Sequence, residues 1–459
     1  MKRRALGGWV AESARLLRES IGKLLLCSSF SREESKAKIA SIIESQRLSA
    51  FKVSVIIPVN NGMAGARIPR LLDSLASQSH GNIEVIAVDS GSTDGTPEFL
   101  LSRGVQVLHI AASDFRHDRS RNLGARAAQG EFLLFTVADA VFDDSEWLRI
   151  GIAHLVEWEG TSFSSPQICP NDAPLFSRYL AFKHLNSLRV GAGVQRFGFA
   201  RSSLIARLAY AIAPMAMRER VIRVDDTNHL VRRKTFERFG FRMHTCEDMV
   251  FGYDLIRSGG VFIYSGLTGI THFHTYDDPV RFFRRCAADY QVHLLVTHAR
   301  PRRLTKPHEW DRAFCLFALL IGNIQLALDA ELPPGENSLT LHIAVVDGLY
   351  DKLHGTCTKS ITSWMRQLLQ QLKLPVPEVD LTEHPSGTFQ SEARNIIGEL
   401  GQAIRVLEKM GIQSVGKGEV VAFLLLCALN LMTLQMARRL HGMEGGSPLA
   451  VKFQKLAWA

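Results

Sequence analysis

The chain contains no CxxC pair, and its seven cysteines, spread from Cys27 to Cys427, are odd in number. That argues against a disulfide framework and a cysteine zinc cluster, and fits a reducing compartment. No apolar run reaches the ~20 residues that a bilayer span needs. The two nearest, residues 313–328 and 420–434, are broken by Asn323 and Gln325 and by Asn430 and Thr433. They read as buried helices. Their sharper reading is a shallow hairpin on a membrane surface, favoured by Arg300, Arg302, Arg303 and Lys306 before the first run. Met1-Lys-Arg-Arg is basic, but Leu24-Leu-Leu-Cys27 is too short for a signal-peptide core. A cytoplasmic location, or a peripheral one at the inner face of the cell membrane, is therefore expected. No GxGxxG follows the first strand, which disfavours a dinucleotide-dependent oxidoreductase. The arginines are scattered with few aromatics between them, so nucleic acid is not the expected partner. Gly411-Ile-Gln-Ser-Val-Gly-Lys-Gly418 nearly spells a phosphate loop, but it lacks the Ser/Thr for a metal and follows a helical pattern. There is no internal repeat.

What is present is a chain of 459 residues, 46% hydrophobic, long enough for two or three domains with a sizeable core. Its 54 Lys+Arg exceed its 45 Asp+Glu, a net charge of +9. A modest basic excess suits phosphorylated ligands or anionic membrane surfaces.

Residues 1–50 read as a polar, basic helical extension, with Ser31 and Glu34 spaced for a capping box. From Val53 the pattern changes. Val53-Ser-Val-Ile-Ile, stopped by Pro58, predicts a buried strand. Ile83 to Val88, Val105 to Ile110 and the run after Glu131 predict three more. Helical spacing lies between them, over 68–77, 96–102 and 119–129. This alternation predicts a doubly wound, mostly parallel α/β sheet with flanking helices. Residues 160–240 are less regular, with a strand running into a helix over 223–237. A helix is expected over 249–258 and a strand over 261–264. Residues 51–300 form the expected α/β domain and 301–459 a helical C-terminal domain. Ligands in such sheets bind beyond the carboxyl ends of the strands, where Pro58, Asn60, Asp89, Ser90, Asp114 and Asp139 fall.

Several motifs carry a resemblance. Val53-Ser-Val-Ile-Ile-Pro-Val-Asn60 and Val88-Asp-Ser-Gly-Ser-Thr-Asp-Gly-Thr96 come first. Phe115-Arg-His-Asp-Arg-Ser-Arg-Asn-Leu-Gly-Ala125, Phe135-Thr-Val-Ala-Asp-Ala140, Pro166-Gln-Ile-Cys-Pro-Asn-Asp-Ala173 and Cys246-Glu-Asp248 follow in order. Over residues 53–290, about half the chain, this series resembles the family 2 glycosyltransferases of GT-A fold, in their rhamnosyltransferase-like branch. The resemblance implies a nucleotide-diphosphate sugar donor and a glycan or lipid-linked glycan acceptor. It implies that Asp89 reads the base, with Pro58, Asn60 and Ser90 shaping the pocket. Arg121, on a helix beside the sheet edge, would pair with the nucleotide or a diphosphate oxygen.

The family's Asp-x-Asp, which holds Mg²⁺ or Mn²⁺, is reduced here to Val137-Ala-Asp139, so Asp139 lacks its usual companion. His272 or His274 is expected to complete the shell, because a His-x-His on a strand puts both rings on one face. Cys246-Glu-Asp implies Asp248 as the base that deprotonates the acceptor, with Glu247 as its alternate or helper. Asp226, from the doublet Asp225-Asp226, and Gln167 are expected to touch the acceptor. Asp143-Asp144 reads as a helix cap. The expected activity is metal-dependent, inverting glycosyl transfer. A binding or scaffold protein that kept the fold without turnover is the alternative, motivated by the missing first Asp.

Overall fold

The computed structural model describes residues 28–44, 47–188, 193–199, 201–273, 276, 278–298, 324, 327–352, 367, 370–371 and 387–440. The chain divides into two compact units. One comprises Met1–Pro170, His184–His274 and Val296–His298; the other comprises Asn171–Lys183, Thr275–Leu295 and Ala299–Ala459.

The first unit opens with β1 (Ser28–Phe30) and α1 (Arg32–Glu44). The Ser31 hydroxyl accepts the Glu34 N–H at 3.3 Å and the Glu34 carboxylate accepts the Ser31 N–H at 3.2 Å. This reciprocal cap fixes where α1 begins. Then strands and helices alternate: β2 (Val53–Val59), α2 (Arg67–Ala76), β3 (Ile83–Asp89), α3 (Thr96–Ser102), β4 (Gln106–His109), α4 (His117–Ala127) and β5 (Phe132–Thr136). β6 (Ala140–Val141), α5 (Trp147–Glu157), β7 (Ser162–Ser164), β8 (Gln167–Ile168), α6 (Leu175–Leu188, whose residues through Lys183 belong to the second unit) and β9 (Val194–Gly198) follow. Next come α7 (Ser203–Ile212), α8 (Met215–Val221), β10 (Asn228–Arg232), α9 (Arg233–Phe239), α10 (Glu247–Arg257), β11 (Val261–Ser265) and β12 (Ile270–His272).

Nine strands form one sheet in the order β1-β9-β11-β7-β10-β5-β2-β3-β4. The β5-β2-β3-β4 half is parallel throughout. All five residues of β5 are buried, and β2 is buried except at Pro58. Continuous Val, Ile, Leu and Phe runs of this kind are what a sheet covered on both faces requires. Beyond β5 the sheet turns mixed: β10 runs antiparallel to both β5 and β7. β1 closes the far edge, pairing with β9 in antiparallel register, so the 1–50 stretch contributes a strand as well as a helix. A second, three-stranded sheet has the order β6-β12-β8.

Two glycines set how closely site-bearing helices approach. A Cβ on Gly124 of α4 would stand 2.5 Å from Ile56 Cγ2 of β2, and one on Gly252 of α10 would stand 2.3 Å from the Ile222 carbonyl oxygen. Both helices therefore lie closer than any side chain would allow.

The second unit includes α11 (Pro279–Val296), α12 (Leu339–Lys352), α13 (Gly387–Lys409) and α14 (Lys417–Leu440). Phe176 meets Phe282 at 5.1 Å between ring centroids, and Tyr179 meets Phe423 at 5.2 Å. Most of the first apolar run, residues 313–323 and 325–326, lies outside the described residues. The second is in α14, where Lys417–Gln435 has mean hydropathy 1.7 and half of its most apolar window is buried in the protein. Among the described residues it alone is long and apolar enough to cross a membrane, and core helices meet the same criterion.

Candidate active site

The rim of the first unit is built by strand direction. β2, β3 and β5 are parallel, so Pro58, Asn60, Asp89, Ser90 and the chain beyond Thr136 emerge at one edge. At adjacent-strand spacing, the ends of β3 and β5 stand about 10 Å apart, a span a nucleotide diphosphate can cover. β10 runs the other way, so its entry, Asp225-Asp226-Thr227, returns to that same edge beside β5. The Thr136 hydroxyl donates to the Thr227 carbonyl at 2.8 Å and joins the two.

The base-pocket candidates form a tight loop pair. The Asn60 amide donates to the Ser90 carbonyl at 2.9 Å, and the Asn61 N–H donates to the Ser92 hydroxyl at 2.7 Å. Asp89 is 2% exposed. Its carboxylate accepts N–H groups from Gly91 at 3.2 Å and Ser92 at 3.3 Å, with His109 Nδ1 at 3.5 Å. Asp89 thus shapes the strand-end turn as well as standing at the rim.

The small sheet assembles the next group. His272 of β12 sits opposite Ala140 of β6, and Ile270 opposite Gln167 of β8. The Phe273 N–H donates to the Asp139 carbonyl at 2.9 Å. His272 Nε2 then lies 3.4 Å from Asp139 Oδ1, and its Nδ1 lies 2.6 Å from Gln167 Oε1. His274 lies outside the described residues. The Gln167 amide nitrogen donates to the Asp225 carboxylate, and reaches Thr227 Oγ1 at 3.2 Å. That orientation fixes the Gln167 oxygen as the acceptor facing His272, so Nδ1 carries the hydrogen. Nε2 is then the ring nitrogen that faces Asp139. An oxygen and a nitrogen donor so placed suit a divalent cation.

Asp225, Asp226 and Asp248 bring carboxylate oxygens within 4.8 Å of one another. Arg121, from α4, places Nη2 2.6 Å from Asp226 Oδ2 and Nη1 2.7 Å from Glu247 Oε1. His117 Nδ1 lies 3.3 Å from the same guanidinium. Glu247 and Asp248 open α10 after Cys246, whose φ of +49° turns the chain sharply into the helix. The positive end of α10 favours carboxylates there. Arg121 is thus shared between Asp226 and Glu247, with Asp225 and Asp248 beside Asp226. Burial, with Asp226 and Asp248 beside it, pushes the Glu247 carboxyl well above the usual carboxylate range, against the pull of Arg121. Burial, reinforced by Asp226 and Asp225, does the same for Asp248.

The result is a continuous line of side chains: Asp139, His272, Gln167, Asp225, then Asp226 and Asp248, then Arg121 and Glu247. The structure also gives a role to Asp225, which the sequence reading placed with Asp226 on the acceptor side, and to His117, which it did not assign to the site. Asp225 joins the two halves, and its signal was the acidic doublet. His117 belongs to the Phe115–Ala125 motif. Behind the line, the Asn228 side chain bonds both the N–H and the carbonyl of Ser165 at 2.9 Å, which positions the chain entering β8. Trp147 Nε1 holds the Ser165 hydroxyl at 2.8 Å.

A carboxylate-rich rim at the carboxyl ends of parallel strands is where a sheet of this kind takes its ligand. Residues 54–207 match the family model for glycosyl transferase family 2, which supports a nucleotide-sugar-dependent glycosyltransferase. The chain is 29% identical over 239 residues to the O-antigen chain rhamnosyltransferase RfbN of Salmonella typhimurium, covering 51% of this chain and 70% of that one. To the O-antigen chain rhamnosyltransferase WbaN of Salmonella anatum it is 25% identical over 235 residues, 50% of this chain and 69% of that one. Among solved structures, the mannosyltransferase PcManGT of Pyrobaculum calidifontis, in complex with GDP-Man and Mn²⁺, aligns at 14% identity and TM-score 0.41 over 83% of this chain and 99% of that one.

Proposed function

We propose that the protein is an inverting, metal-dependent transferase that moves a sugar from a nucleotide diphosphate to a glycan or lipid-linked glycan acceptor at the cytoplasmic face of a membrane. The observation that carries this reading is the unbroken line from Asp139 to Asp248. Pro58, Asn60, Asp89 and Ser90 bound the nucleotide end. Asp139 and His272 would hold Mg²⁺ or Mn²⁺, which when bound neutralises charge on the departing diphosphate.

Asp248 is the base. Its raised proton affinity makes it a stronger base toward an acceptor hydroxyl. The acceptor oxygen then attacks the anomeric carbon from the face opposite the diphosphate, in one displacement. Asp225, Asp226 and Gln167 orient the acceptor hydroxyls. Arg121 and Glu247 are positioning residues: they set the side-chain arrangement beside Asp248 without touching the reacting atoms.

Incubation with a panel of nucleotide sugars, Mn²⁺ and a glycan or lipid-linked glycan acceptor tests the reading. Donor-dependent transfer should fall by roughly 10²–10⁴-fold in Asp248→Asn, as for loss of a general base, and also disappear in Asp139→Ala. NMR of the product should show an anomeric configuration opposite to the donor's. A retained configuration, or full transfer by Asp248→Asn, would refute the assignment.

A further inference from the structure

We infer that α7 is an interfacial helix that seats the enzyme on an anionic lipid surface. At 100° per residue, Leu204, Leu208, Ala211 and Ile212 fall on one arc of α7, with Ile205 at its margin. All five are exposed, Leu204 at 68% and Leu208 at 59%. The opposite arc is buried and built of small residues, Ala206, Ala209 and Ala213, with Tyr210. Tyr210 anchors the helix by donating its hydroxyl hydrogen to the Val296 carbonyl at 2.7 Å. A soluble helix normally turns its large aliphatics inward; here the alanines face in and the leucines face out. A contiguous apolar strip of this kind marks a surface that something covers.

Charge selects the occupant. Between residues 201 and 223 the chain carries Arg201, Arg207, Arg218, Arg220 and Arg223, against a single acidic residue, Glu219. Arg207 lies on α7 beside the apolar arc and is exposed; Arg201, just before it, is exposed too and pairs with Glu159, so Arg207 is the arginine directly on the strip. An apolar face edged by arginines is the pattern of a helix lying in a bilayer interface, its leucines among the acyl chains and its arginines on anionic headgroups. The site lies close in the fold. α10, which opens with Glu247 and Asp248, packs against both α7 and α8, and Asp225 follows the end of α8 by four residues. A lipid-seated α7 would hold the base and acceptor carboxylates near headgroup level. The inference rests on the proposed function only where it names the acceptor as lipid-linked.

The test is sedimentation of the full chain with vesicles of phosphatidylcholine alone or mixed with phosphatidylglycerol, at low and high salt, without donor or acceptor. The wild type should bind the anionic vesicles. Leu204→Gln/Leu208→Gln should bind them roughly tenfold or more weakly. Arg201→Gln/Arg207→Gln should bind roughly tenfold more weakly to anionic vesicles and lose much of the salt dependence. Both variants should unfold at the wild-type temperature, because the altered side chains are exposed. Absence of binding to either vesicle, or binding that survives the leucine substitutions, would overturn the inference. So would a wild-type dimer that the leucine substitutions dissolve without any vesicle binding. Donor hydrolysis on the same preparations keeps the two readings apart: turnover without vesicle binding removes only this inference, and vesicle binding without turnover removes only the proposed activity.

Discussion

Arg121 and Glu247 form a buried ion pair at 2.7 Å, with their side chains 3% and 6% exposed, and Arg121 turns its other terminal nitrogen to Asp226. The two residues lie 126 positions apart in sequence, on α4 and α10. The pair therefore ties the parallel half of the sheet to the helix that carries Asp248, the proposed base. Replacing Arg121 by Met leaves two carboxylates without their cation. Breaking a buried pair from one side costs about 3–5 kcal/mol, mostly because a charge is stranded. Chemical denaturation of Arg121→Met should show a loss of that order, and Arg121→Met/Glu247→Gln should recover part of it. A double variant no more stable than the single one would show that Glu247 is not the group stranded.

The Gln167 side chain bonds both His272 and Asp225. Its two ends cannot be exchanged, since one accepts from the imidazole and the other donates to the carboxylate. Gln167→Leu removes both contacts and keeps similar bulk. Loss of a group that orients a metal ligand costs roughly 10–100-fold in metal affinity or activity. Mn²⁺ titration followed by calorimetry should register a weakening of that size, while the unfolding temperature stays near that of the wild type. Unchanged Mn²⁺ affinity would remove His272 from the metal shell.

The parallel half of the sheet was readable because its strands are continuous β-branched and aromatic runs punctuated by Pro58, Asp89 and Gly130. Val53–Val59, Ile83–Asp89 and Phe132–Thr136 lie where those runs predict. α2, α4 and α10 are displaced by two residues or fewer from the predicted spans at each end, the usual uncertainty of helix ends. β6, β8 and β12 escaped notice because two or three residues carry no periodicity; only pairing between segments more than 100 residues apart makes them strands. β1, three residues long, escaped for the same reason, and so did its partner β9, whose Val-Gln-Arg-Phe-Gly shows no alternation of apolar and polar residues. At the site, sequence could nominate Asp139, His272, Gln167 and Asp248 singly. That a single line joins them follows from the three-stranded sheet, and so does the linking role of Asp225.

Gly252 gives a second stability test. Its α-carbon faces the Ile222 carbonyl so closely that an added methyl would stand 2.3 Å from the oxygen. The obstacle is backbone, which cannot swing aside. Gly252→Ala, although favourable to an isolated helix, should destabilise the protein by roughly 1–3 kcal/mol, the usual cost of overpacking. It should also lower the transfer rate, because the shift is imposed on α10 five positions from Glu247. A variant as stable as the wild type would mean that α10 sits farther from Ile222 than described.

The acid response follows from His154. Its ring is fully buried, stacked against Trp158 at 4.6 Å and Phe163 at 5.4 Å, with Nε2 at 2.9 Å from the Ser265 hydroxyl. Burial pushes its pKa from 6.5 down to about 3. Between those values the unfolded chain holds a proton on this residue and the folded chain does not. Stability therefore rises with pH through that window: the contribution is fully present above pH 6.5 and is lost as pH falls toward 3. Each such histidine adds a slope of at most about 1.4 kcal/mol per pH unit. His229, also buried and also pushed down to about 3, acts in the same direction. Glu247 and Asp248, whose carboxyls burial pushes above the usual carboxylate range, act in the opposite one. Denaturation midpoints measured across the window separate these contributions. His154→Phe keeps the stack and removes the titration, so its stability should fall less steeply on acidification than that of the wild type. Parallel curves for the two proteins would mean that the His154 ring takes up its proton as readily in the folded chain as in the unfolded one.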